Sequence, residues 1–152
     1  QPLPHRLQPL GEKDGIKYYD DSISTICETT IQALNTLKDV DTVLIGGMDR
    51  GIDYSELINF LSGHKVPHII LMEATGKRIL EEILNGYPDF QDKDRLVLTD
   101  HLEDAVAKAK ELTRPGHSCL MSPAAASYGI FKNFEERGEV FARLVSGSDK
   151  LM

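Results

Sequence analysis

Apolar residues along this chain change their spacing several times, and each change marks an element. Arg6 to Gly11 alternates polar and apolar residues, Asp14-Gly15 is a turn dipeptide, and Ile16-Lys17-Tyr18-Tyr19 resumes the alternation, which predicts a β-hairpin. Four short apolar runs follow: Thr42-Val43-Leu44-Ile45, Ile69-Ile70-Leu71-Met72, Leu96-Val97-Leu98 and Ser118-Cys119-Leu120-Met121. Runs of that length read as strands buried on both faces. Between them apolar residues return at helical spacing. Ile31, Leu34 and Leu37 form one set, and Leu57, Ile58 and Leu61 a second, after a candidate cap at Asp53. Ile79, Leu80, Ile83 and Leu84 close at Asn85-Gly86, and Leu102, Ala105, Val106, Ala109 and Leu112 follow a candidate cap at Asp100. Phe131, Phe134, Val140, Phe141, Leu144 and Val145 supply the last helix. This alternation predicts an α/β, Rossmann-like domain: a mostly parallel sheet with helices on both faces, and an N-terminal hairpin adding an antiparallel edge.

Composition narrows the function. With 17 basic against 24 acidic side chains the net charge is −7, a sign that repels a phosphate backbone and argues against nucleic-acid binding as the main task. One basic pocket for a nucleotide remains compatible with it. No apolar run approaches the ~20 residues of a membrane-spanning helix. The two cysteines, Cys27 and Cys119, form no CxxC pair and fit a reducing cytoplasm without structural zinc. His5, His64, His68, His101 and His117 show no metal-ligand spacing and read as scattered surface residues. The start, Gln1-Pro2-Leu3-Pro4, has neither an initiator Met nor a signal pattern, as expected of a piece of a longer protein.

Ligands of open parallel sheets collect beyond the carboxyl ends of the strands, so the post-strand loops matter most. Asp20-Asp21-Ser22-Ile23-Ser24-Thr25 has carboxylates for a ribose or Mg²⁺ and hydroxyls for an anion; its plainer reading is a solvated turn with an N-cap. Gly46-Gly47-Met48-Asp49-Arg50-Gly51 allows close backbone approach and offers the forked donor of Arg50, or is a glycine turn with a surface arginine. It matches neither GxGxxG nor GxxxxGK[ST]. Ser122-Pro123-Ala124-Ala125-Ala126-Ser127-Tyr128 leaves room for a bound molecule or a packed neighbour. Lys132 to Gly138 reads as a charged, solvated helix segment, and Thr75-Gly76-Lys77-Arg78 as a helix start whose two cations could meet a phosphate or, as is commoner, are simply exposed.

Taken together and in order, His5-Arg6, Asp20 to Thr25, Gly46 to Gly51, Ser122 to Ser127 and Phe131 to Gly138 resemble the C-terminal domain of a Mur ligase, nearest the branch that adds D-glutamate. The resemblance spans essentially the whole chain. It implies that residues 1–152 form one domain, the amino-acid-binding domain of a three-domain, cytoplasmic enzyme of peptidoglycan synthesis. The implied activity is ATP-dependent amide formation. The carboxylate of UDP-N-acetylmuramoyl-L-alanine is phosphorylated by ATP with Mg²⁺, and the D-glutamate amine then displaces phosphate. The resemblance further implies that Mg²⁺ and most of ATP are bound by a central domain with a P-loop, so that this chain alone is inactive and has no metal ligands of its own. Residue by residue, it implies ATP contacts at Arg6 and Asp21, and D-glutamate contacts at Thr25, Ser127 and Phe134. Arg50 stands where the family has a lysine that pairs with a D-glutamate carboxylate, and Ile23 where a lysine is often found. Arginine keeps the charge but presents a planar fork. Two other readings remain open: a stand-alone module for a small acidic ligand or nucleotide, and the same domain of a Mur ligase for another amino acid.

Overall fold

The structure is a computed structural model, and it describes residues 3–147. Six strands form one sheet: β1 (Gln8–Lys13), β2 (Ile16–Asp20), β3 (Val40–Gly46), β4 (His68–Met72), β5 (Leu96–Thr99) and β6 (Ser118–Met121). Their spatial order is β1-β2-β6-β3-β4-β5; β1 and β2 are antiparallel and every other pair is parallel. Helices α1 (Cys27–Thr36), α2 (Ser55–Gly63), α3 (Glu73–Gly86) and α4 (Leu102–Leu112) make the crossovers between parallel strands, with a 3₁₀ turn at Lys93–Arg95, and α5 (Phe134–Ser146) follows β6. This is the α/β, Rossmann-like sheet with an antiparallel hairpin edge that the alternation predicts.

Two cores explain why the central runs are apolar throughout. Side chains of a strand point alternately to opposite faces. Val43, Ile45, Ile69, Leu71 and Leu120 pack against Leu34, Leu57, Leu61, Ile79 and Ile83 of α1, α2 and α3. Leu44, Ile70, Met72, Cys119 and Met121 face the other way, onto Ala105, Val106, Ala109, Phe141 and Val145 of α4 and α5. The chain therefore builds outward through β3, β4 and β5 along one face, then returns along the other to insert β6 between β2 and β3. Connections reverse direction at β6, which places a crevice at the carboxyl ends of β2, β6 and β3.

Local details depart from the sequence pattern. The hairpin begins two residues late, at Gln8, because His5 and Leu7 adopt left-handed backbone (φ 65 and 46) and tie Arg6 into a turn ahead of the strand. Phe131 lies in the β6–α5 connection and packs on the second core without joining a helix. Asp100 does not cap α4. Its carbonyl accepts the Glu73 N–H, and His101 holds the cap position without a side-chain bond. Tyr54, not Asp53, occupies the α2 cap position, while Asp53 Oδ1 accepts the Ser55 N–H at 2.9 Å. Asn133 caps α5 by accepting the Glu136 N–H, and Gly147 closes it at φ 71.

Candidate functional site

The loop after β2 is a buried polar knot rather than a solvated turn. Asp20, Asp21, Ser22 and Ser24 are all at most 2% exposed. Asp21 Oδ1 accepts the Leu7 N–H, and Oδ2 accepts the hydroxyls of Ser24 and Ser122 at 2.6 and 2.7 Å. Burial pushes the Asp21 carboxyl above its ordinary range, and these hydrogen bonds oppose the shift. Asp20 Oδ2 lies 2.6 Å from His5 Nδ1, while Oδ1 accepts the Ser22 N–H. His5 is therefore a partnered, half-buried residue, not a loose surface histidine. The segment before β1 is fastened to this knot at both aspartates, which sets Arg6, itself exposed, beside it. No side chain caps α1.

The loop after β3 is held from both sides. Met48 N–H donates to Ala126 O at 2.9 Å, the Thr75 N–H to Gly47 O, and the Thr75 hydroxyl to Met48 O. Gly46 has φ 138, and a Cβ there would strike the Met72 carbonyl, so the glycine is required. Arg78 reaches back from α3: Nε donates to Asp49 Oδ2, Nη2 to Ile52 O, and the guanidinium lies 5.0 Å from the Tyr54 ring centroid. It is thus a half-buried tie rather than an exposed cation. Arg50, between these anchors, is exposed and makes no hydrogen bond or ion pair among the described residues.

The loop after β6 is packed. Ala124, Ala125 and Ala126 are buried, and Tyr54 Oη donates to Ala124 O at 2.6 Å, so the alanines make room for a neighbour of the same chain. Burial pushes the Tyr54 phenol up to about 12. Ser127 is buried, with its carbonyl accepting the Phe131 N–H. Phe134 opens α5; its carbonyl accepts the Ser22 hydroxyl and its ring meets His5 edge-on at 6.1 Å.

Arg137 is the residue the sequence pattern misplaced most. It sits in a charged stretch yet is 0% exposed. Nε and Nη2 donate to the Ser22 hydroxyl and carbonyl, while Nη1 is buried without a hydrogen-bond partner among the described residues. Burial lowers its pKa to about 10, with Glu73 and Asp20 opposing. The one usable signal was Arg137-Gly138 inside a helix. Glycine costs about 1 kcal/mol there against alanine. A Cβ at Gly138 would overlap His5 Nδ1 and Asp20 Oδ2, so the missing side chain is what admits that pair.

All six residues singled out by resemblance lie on loops at this sheet edge or at the N-terminus of the helix beyond it. Arg6 and Asp21 line one cavity of ≈390 Å³ with Leu7, Ile23, Thr29 and Gln32. Thr25, Arg50 and Ser127 come from the loops after β2, β3 and β6, which the bonds above tie together, and Phe134 from the first turn of α5. They line neither that cavity nor the ≈330 Å³ one beside β5, which is bounded by Glu73, Lys77, Leu98, Asp100, His101 and Ile130.

Comparison with known proteins adds sequence evidence to this geometry. A UDP-N-acetylmuramoylalanine–D-glutamate ligase of Caldanaerobacter subterraneus is 39% identical over 142 residues, 93% of this chain. The ligase of the same name from Chlamydia caviae is 36% identical over 148 residues, 97% of the chain. Over nearly its whole length the chain is similar to Mur ligases. It spans about 30% of the length of these Mur ligases. Two solved structures share the fold: a Psychrobacter arcticus murein peptide ligase (TM-score 0.62, 14% identity, 95% of this chain and 30% of that one), and a Thermotoga maritima MurF ligase in complex with ADP (TM-score 0.56, 17% identity, 97% and 32%). No protein-family model matches the chain.

Proposed function

We propose that residues 1–152 are the C-terminal domain of a three-domain, cytoplasmic ligase that joins D-glutamate to UDP-N-acetylmuramoyl-L-alanine at the expense of ATP. The observation that carries this reading is 39% identity across 93% of the chain to a ligase of that name. The site chemistry supports it. D-glutamate carries two carboxylates, and this edge combines an exposed unpaired guanidinium on Arg50 with the hydroxyls of Thr25 and Ser127. The N-terminus of α5 at Phe134 adds a favourable pole for an anion. The buried charge of Arg137 lies beneath the same loops.

The chain's own residues orient the amino acid and leave its amine free to attack. Arg50 pairs with one carboxylate, taking the place of a lysine with a forked donor; Thr25, Ser127 and the start of α5 hold the molecule from the other side. Arg6 is the group here that can reach a nucleotide phosphate, because it is exposed at the mouth of its cavity. Asp21 acts mainly by fixing Leu7, and with it Arg6, since both its oxygens already accept protein donors. ATP and Mg²⁺ supply the activating phosphorylation and are held mostly by the rest of the enzyme.

The test is steady-state kinetics of the full-length ligase carrying this chain, with D-glutamate, L-glutamate and other amino acids. D-glutamate is the expected substrate. Arg50→Ala is expected to raise its KM by about tenfold or more, the value of one charged hydrogen bond, with the KM for ATP unmoved and Arg50→Lys largely restored. Use of another amino acid, or an Arg50→Ala enzyme indistinguishable from the parent, would overturn the assignment.

A further inference from the structure

Glu73 opens α3 at φ 62, a left-handed conformation in which a side chain other than glycine is strained. Its Oε2 is buried with no hydrogen-bond partner among the described residues. The only other side-chain atom in that condition among the described residues is Arg137 Nη1, of opposite charge. The two flank one short stretch of backbone. Glu73 N–H donates to Asp100 O, and two residues on, the Thr75 N–H and hydroxyl bind Gly47 O and Met48 O at 3.0 Å. On its other side Gly47 lies against Arg137: a Cβ at Gly47 would sit 3.1 Å from Nη1 and 2.5 Å from Ala126 O. The remaining nitrogens of Arg137 are committed to Ser22, whose hydroxyl donates to Phe134 O. Arg137 has no carboxylate within ion-pair distance among the described residues, and Glu73 is the strongest attraction acting on it, ahead of Asp20.

We infer that Glu73 is a positioning residue for the amino-acid site: its carboxylate, with Oε2 buried, is the counter-charge that holds Arg137 beneath the three loops bearing Thr25, Arg50 and Ser127 and beside the start of α5 at Phe134. The functional half of this inference rests on the D-glutamate reading. A buried guanidinium that loses its counter-charge must move toward water or draw the loops toward new acceptors. Ser22, Gly47 and Ala126 touch Arg137 or its neighbours, so they would shift with it. Glycine would suit the backbone at residue 73 better, so the strain is consistent with a carboxylate that is needed there.

The experiment compares Glu73→Gln, Glu73→Gly and Glu73→Asp in the full-length ligase labelled with ¹⁵N-arginine. The expected result is a displaced Arg137 Nε–H resonance, exchanging about tenfold or more faster, in the Gln and Gly variants, with Asp restoring much of the parent signal. The KM for D-glutamate rises severalfold in the same two variants while that for ATP stays within about twofold. Glu73→Gly relieves the backbone strain that Glu73→Gln keeps, which offsets part of the cost of the unpaired guanidinium, so it should melt above Glu73→Gln, and a KM defect of equal size in both is then not one of folding. An Arg137 signal unchanged in both variants overturns the couple. A displaced signal with an unchanged KM for D-glutamate overturns the positioning role. If the parent enzyme does not use D-glutamate, the functional reading fails, and the Arg137 signal still decides whether Glu73 holds it.

Discussion

Arg78 Nε donates to Asp49 Oδ2 at 2.9 Å, and Asp49 directly precedes Arg50. The same guanidinium donates to Ile52 O at 2.7 Å and to Glu82 at 2.6 Å, so it brackets residue 50 on both sides. Arg78→Ala should destabilise the protein by about 1–3 kcal/mol, the range for losing charged hydrogen bonds at a partly buried site. It should also raise the KM for D-glutamate more than that for ATP. Urea unfolding together with steady-state kinetics checks both; a stability loss with no selective effect on D-glutamate would limit Arg78 to a structural role.

Gly138 separates a steric cost from a propensity gain. Alanine is preferred over glycine in a helix by about 1 kcal/mol. At Gly138, however, the added methyl would overlap His5 Nδ1 and Asp20 Oδ2, and Asp20 is buried and bound to Ser22. Gly138→Ala should therefore destabilise by about 1–3 kcal/mol as an overpacking change. At Gly86, where nothing lies within 4 Å, alanine should be neutral or stabilising. Melting temperatures of the two variants decide it, and equal responses would contradict the placement of the His5–Asp20 pair.

The fold was legible because strand and helix periods alternate cleanly and the central runs are apolar on both faces, as two cores require. The site was legible only in outline. Asp20, Asp21, Ser22 and Ser24 look like a surface turn because polar residues usually are; that they bond to one another and to Ser122, about a hundred positions later, is a product of the β2–β6 pairing. Arg137 and Arg78 were hidden the same way. A charged residue in a charged stretch carries no local mark of burial, and their partners come from other loops.

Asp41 gives an acid-side test of the sheet's opposite end. It is 1% exposed, and burial alone would raise its carboxyl, but hydrogen bonds and charge from Arg114 outweigh this and leave it below the ordinary range. A carboxyl lowered in the folded state contributes stability that is present above its unfolded value and lost as pH falls through the folded one. Stability should therefore decline below about pH 4, and Asp41→Asn, already weaker at neutral pH, should decline less steeply. Melting temperature against pH between 3 and 7 shows the difference; parallel curves would contradict it.

On the proposed function, this chain supplies the amino-acid side of a divided ligase site. Phosphoryl and acyl transfer depend on positioned charges, and the groups here are a minority of those needed. The most direct measurement is ADP release dependent on ATP, UDP-N-acetylmuramoyl-L-alanine and D-glutamate together, made with the 152-residue chain, with the separately expressed remainder of its ligase, and with the two together. The expected result is no turnover from either part, restored ligation from the mixture, and its loss with Arg50→Ala or Ser127→Ala. Turnover by the chain alone, or restored ligation indifferent to both substitutions, would contradict the account.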